Sequence, residues 1–84
     1  MQEEDEQRKP DKVLGVGIIG CGWIADAVHI PNLQTRKDVA ITAFADRSAE
    51  RRHLTAGRLP NAACYEDSEA LFSNPEVQAV VIAT

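Results

Sequence analysis

The run Val13-Leu14-Gly15-Val16-Gly17-Ile18-Ile19-Gly20-Cys21-Gly22-Trp23-Ile24-Ala25 decides the fold. Val13 to Ile19 carries apolar side chains on both faces, the pattern of a strand covered on both sides in a parallel sheet. Gly20-Cys21-Gly22 interrupts it, and a helix is expected from Trp23 to about Leu33. Ile24, Ala27, Val28 and Pro31 would share one face of that helix, with Pro31 kinking it or marking its last regular turn. A strand that breaks at glycines into a helix is the setting in which G-x-G-x-x-G/A has mechanical meaning. Two registers fit the sequence. Gly15-x-Gly17-x-x-Gly20 would put the turn inside the strand. Gly20-Cys21-Gly22-Trp23-Ile24-Ala25 puts it at the strand end, and we read the motif in that register. Gly22 then falls where backbone must approach a pyrophosphate, and Ala25 is small enough to let the helix pack on the strand. The N–H groups at the helix start, Cys21 among them, would face the phosphates. The plainer reading is a tight strand-to-helix turn that uses glycine for backbone reasons alone.

Beyond this stretch, apolar runs and helical segments alternate. Val39 to Ala45 is a second strand, ending at Asp46-Arg47-Ser48. Ser48 is a natural N-cap for a helix to about Ala56, with Glu50 in its first turn and Gly57 and Pro60 closing it. Ala62 to Tyr65 is a short third strand. Asp67 or Ser68 would cap a short helix carrying Leu71 and Phe72, ended by Asn74-Pro75. Val77 to Ala83 is a fourth strand. The order β-α-β-α-β-α-β demands right-handed crossovers and hence a parallel sheet. The expected class is α/β, a partial doubly wound sheet of Rossmann type that is truncated within residues 13–84.

Asp46 lies at the second strand's end, about 20 residues beyond the turn, where a carboxylate can accept hydrogen bonds from adenosine ribose hydroxyls. Its plainer reading is a helix-flanking acid. Arg47 could stack on adenine or pair with a 2′-phosphate. Asp46 would repel that phosphate, so NAD is favoured over NADP. Trp23 could cover the phosphates or simply pack. His29 and His53 have no partners at ligand spacing, and neither they nor the cysteines suggest a metal site.

The 84 residues are 44% hydrophobic and 26% charged, an ordinary globular mixture with net charge −4. No basic cluster suggests nucleic acid. Residues 1–12 hold five acids (Glu3, Glu4, Asp5, Glu6, Asp11) against three bases (Arg8, Lys9, Lys12) and read as a disordered acidic leader, not a signal peptide. No run approaches the ~20 apolar residues of a membrane helix. Cys21 and Cys64 read as reduced thiols in a cytoplasmic protein.

The segments 16–25 and His29-Ile30-Pro31-Asn32-Leu33 resemble the opening of the Gfo/Idh/MocA oxidoreductases. Ala43-Phe44-Ala45-Asp46-Arg47-Ser48 is similar to that family's second-strand end. The stretches Tyr65-Glu66-Asp67 and 74–84 are similar to its approach to the fourth strand. The resemblance implies a Rossmann domain followed by a β-sheet domain that binds substrate and often mediates oligomerisation. It implies oxidation or reduction of sugars, polyols and related compounds with NAD or NADP. Gly20, Cys21, Gly22, Trp23 and Ile24 would lie on the pyrophosphate side, Asp46 and Arg47 on the adenosine side, and Ala83 and Thr84 where the fourth strand meets the cofactor. The family's Glu-Lys-Pro segment and later histidine have no counterpart among these residues, so no catalytic residue is assigned. Small-molecule substrate would be bound only by chain beyond Thr84. The alternatives are a non-catalytic cofactor-binding regulatory module and a methyltransferase-type nucleoside domain. The latter usually carries an acid before the glycines, where Ile18-Ile19 stands. A flavin domain, with glutamate at the second strand's end, ranks lower. The 84 residues alone are expected to be inactive and to fold poorly.

Overall fold

The computed structural model describes residues 13–22 and 25–83. The leader 1–12, Trp23, Ile24 and Thr84 fall outside them, and so do the expectations placed on those residues. Four strands form one parallel sheet: β1 (Leu14–Ile19), β2 (Val39–Ala45), β3 (Ala63–Tyr65) and β4 (Ala79–Ile82), in the order β3-β2-β1-β4. The helices are α1 (Ala25–His29), α2 (Ile30–Gln34), α3 (Ala49–Arg58) and α4 (Ser68–Phe72). This is the doubly wound α/β arrangement that the alternation of segments demands.

One core cluster joins Ile18 and Phe44 of the sheet to Ala25 and Ile30 of α1 and α2 and to Leu59, just beyond α3. A second cluster joins Ala43 and Ala45 to Leu71 of α4. Phe44, Ile18, Ile30 and Leu71 are the largest fully buried side chains, each worth about 1.5–3 kcal/mol of burial. On β1 the glycines serve packing. A Cβ on Gly15 would fall 1.8 Å from the Glu76 carbonyl oxygen, and one on Gly17 would fall 2.8 Å from Leu71. The β1–β2 register slips between Val16 and Gly17, leaving Thr42 without a partner on β1. Its hydroxyl donates to the same Glu76 carbonyl at 2.9 Å.

Four details differ from the sequence reading. First, α1 is π-helical and runs directly into the α-helical α2. Ala25 and Ile30, five residues apart, are the buried pair, whereas Val28 is exposed. Ile24 and the Ala27 side chain of the expected face lie outside the described residues, and over Ala25–His29 the winding is the wider i→i+5 kind. It gives way to regular helix next to Pro31, which has no N–H to donate to the preceding turn. Second, Gly57 does not end α3, which continues to Arg58 with Leu59 as its C-cap. Third, Phe72 is exposed, and Leu71 alone anchors α4. Fourth, β4 starts at Ala79 rather than Val77, because the Val77 amide closes a turn onto Asn74 at 3.0 Å. Ser48 caps α3, accepting from the Arg51 amide, and Asp67 caps α4, accepting from the Ala70 amide.

Candidate functional site

Parallel strands deliver their carboxyl ends to one edge of the sheet. The winding direction reverses between β1 and β4, which opens a crevice there. It is a cleft of about 660 Å³, bordered by Ile19, Gly20 and Gly22 at and beyond the end of β1, Ala45 to Arg47 at and beyond the end of β2, Arg51 on α3, Glu66 to Ser68 at the start of α4, and Ala83 after β4. Gly20 leaves β1 with φ 91°, a left-handed value that favours glycine. Its amide donates to the Ala45 carbonyl at 2.8 Å, pinning the turn to the end of β2. Among the described residues, a Cβ at Gly22 would meet only the Arg51 guanidinium, at 3.5 Å. The turn is therefore open on its cleft side. Ala25 is fully buried, so the first helix sits close against the sheet.

Asp46 holds the centre of this site. Its Oδ2 accepts the Cys21 amide at 2.7 Å and its Oδ1 accepts the Ser48 amide at 2.7 Å. Arg52 donates to the Asp46 carbonyl at 2.6 Å. Partial burial pushes the carboxyl upward, but the Cys21 and Ser48 amides, with Arg51 and Arg52 nearby, outweigh it and hold it below the usual aspartate value. The Cys21 amide, expected to point at phosphate, is thus engaged by Asp46. The Cys21 side chain is buried, and its thiol donates to the Ala45 carbonyl at 3.7 Å. Burial raises the thiol above its ordinary value, which disfavours a reactive thiolate.

Arg47 is exposed on the cleft rim. Arg51 was absent from the residues singled out in the sequence. It lies one helical turn beyond the Ser48 cap, and only the folded chain sets its guanidinium over Gly22. Ala83 borders the cleft as expected, and its amide pairs with the Ile19 carbonyl at 2.9 Å. His29 and His53 do not line the cleft. Among the described residues no group of His, Cys, Asp or Glu could hold a metal ion, and no helix is long and apolar enough to cross a membrane.

Residues 14–84 match the oxidoreductase family described as having an NAD-binding Rossmann fold. The chain belongs to this Gfo/Idh/MocA family. Over 71 residues it is 39% identical to an uncharacterized oxidoreductase of Synechocystis, sll0816, covering 84% of this chain and 19% of that protein. It is 33% identical over 69 residues to D-glucoside 3-dehydrogenase of Escherichia coli, covering 80% of this chain and 20% of that enzyme. Among solved structures it superposes on the 3-ketoreductase KijD10 of Actinomadura kijaniata in complex with NADP and TDP-benzene, with TM-score 0.74 and 30% identity over 82% of this chain and 21% of that one. It also superposes on GenD2 from gentamicin A biosynthesis in complex with NAD, with TM-score 0.78 and 26% identity over 87% of this chain and 20% of that one. The chain spans about a fifth of the length of each of these family members. It is an NAD-binding Rossmann segment of the family.

Proposed function

We propose that this chain supplies the cofactor-binding portion of an oxidoreductase acting on a sugar, polyol or related substrate. The observation that carries the proposal is the cleft at the β1–β4 switch point, which joins an open glycine turn to a carboxylate at the end of β2. Its residues suit a dinucleotide. Gly22 presents bare backbone to the cleft, Arg51 adds positive charge beside it, and Asp46 borders the same cleft, where it would face an adenosine ribose. When bound, the nicotinamide ring would accept or deliver a hydride. Gly20, Gly22, Trp23 and Ile24 would hold the pyrophosphate side, Asp46 and Arg47 the adenosine side, and Ala83 and Thr84 the approach to the nicotinamide. Cys21 would serve through its link to Asp46 rather than as a phosphate donor.

The Asp46 carboxylate would disfavour a 2′-phosphate, so NAD is the preferred cofactor. The full-length protein would bind its small-molecule substrate through a further domain of the family's kind. The setting is cytoplasmic, suited to two unpaired thiols. Titration with NADH and NADPH, followed by nicotinamide fluorescence, tests the proposal. NADH should bind, and more tightly than NADPH. Binding of neither by a folded chain would overturn the assignment, and tighter NADPH binding would overturn the preference.

A further inference from the structure

Asp46 makes contacts that ribose recognition does not need. Its two carboxylate oxygens accept from the amides of Cys21, 25 positions earlier, and of Ser48, each at 2.7 Å. Its own amide donates to the Tyr65 carbonyl at 3.2 Å, and its carbonyl accepts from Arg52. One residue therefore joins the turn after β1, the end of β2, the end of β3 and the first turn of α3. The Cys21 side chain is buried, and the adjoining Gly20 has a left-handed φ of 91°. The charged oxygen makes the stronger kind of hydrogen bond to the Cys21 amide. A carboxylate oxygen has two acceptor sites, so both oxygens keep capacity for a ribose hydroxyl.

We propose that Asp46 is a positioning residue for the glycine turn, tying Gly20-Cys21-Gly22 to the start of α3 so that both halves of the cofactor cleft are set before ligand arrives. This role rests on the dinucleotide assignment for its consequence in binding, but not for its structural content. Preorganisation of this kind raises affinity by removing an ordering cost at the moment of binding. A residue that acted only on ribose would affect only ligands that carry the ribose hydroxyl.

The test pairs a protein change with a ligand change. Wild-type chain and Asp46→Asn are titrated with NADH and with its 2′,3′-dideoxyadenosine analogue, which lacks both ribose hydroxyls, and amide exchange at Cys21 is followed without ligand. Asparagine keeps the shape but turns an NH2 toward one of the two amides. Asp46→Asn should weaken the analogue about tenfold or more, and NADH at least as much, and should speed exchange at Cys21 while the Ala83 amide stays protected. A variant that weakens NADH, leaves the analogue unchanged and keeps Cys21 protected would overturn the proposal. Wild type that binds neither ligand would overturn the dinucleotide assignment instead, and exchange at Cys21 would still decide the positioning role. Should Asp46→Asn not fold, Asp46→Glu goes through the same measurements. Loss of the whole sheet in both would mark Asp46 as a determinant of the fold and overturn the local role.

Discussion

Gly22 lines the cleft with no side chain, and among the described residues only the Arg51 guanidinium lies within 4 Å of where one would stand. Valine at this position would fit the protein but fill the space meant for a pyrophosphate. Gly22→Val should therefore abolish NADH binding in fluorescence titration while leaving the thermal melt within a few degrees of wild type. Arg51 adds a cation at the same place, so Arg51→Leu should weaken NADH about 3- to 30-fold, the effect of one charge-assisted contact in a partly exposed site. Isothermal titration at two salt concentrations checks this, since the loss should shrink as salt screens the charge. Asp46 also makes a pH prediction. Its carboxyl is held below the usual value, so the stability it contributes is fully present above the ordinary aspartate pKa of about 3.9 and is lost as pH falls through the lower folded value. Asp38, lowered by its hydrogen bonds with Arg36, acts in the same window. Melting wild type and Asp46→Asn between about pH 6 and pH 3 separates the two, and the variant should lose stability less steeply.

At the scale of elements, β1 shows what burial on both faces costs in side-chain freedom. Gly15 leaves no room for even a methyl group under the Glu76 carbonyl. Gly15→Ala must push the 74–78 turn away and should cost about 1–3 kcal/mol or more, read as a lower urea midpoint in chemical unfolding. The glycines of β1 were legible as strand residues, but their reason was not, because Glu76 over Gly15 and Leu71 over Gly17 arrive 61 and 54 positions later along the chain. The caps Ser48 and Asp67 were legible because capping is local chemistry at fixed spacing. The π-winding of α1 was not. A regular helix and a π-turn share the same composition, and the choice is made where Ala25 and Ile30 must both reach the sheet.

For the molecule as a whole, β4 is an edge of the described sheet, with Val80 and Ile82 exposed at 38% and 66%. An apolar edge strand is a template for pairing with another chain. The 84-residue chain should therefore self-associate in sedimentation, with a concentration-dependent boundary. A boundary that stays monomeric across concentrations would contradict this. The parallel α/β class, the site of the turn and the acid at the end of β2 were determined by sequence alone, because hydrophobic period, glycine placement and capping act over a few residues. Register on β1, the burial of Cys21, the capture of its amide by Asp46 and the reach of Arg51 over Gly22 were decided only by tertiary structure. Each joins groups distant along the chain, and their meeting depends on how strands align and helices pack rather than on any local preference.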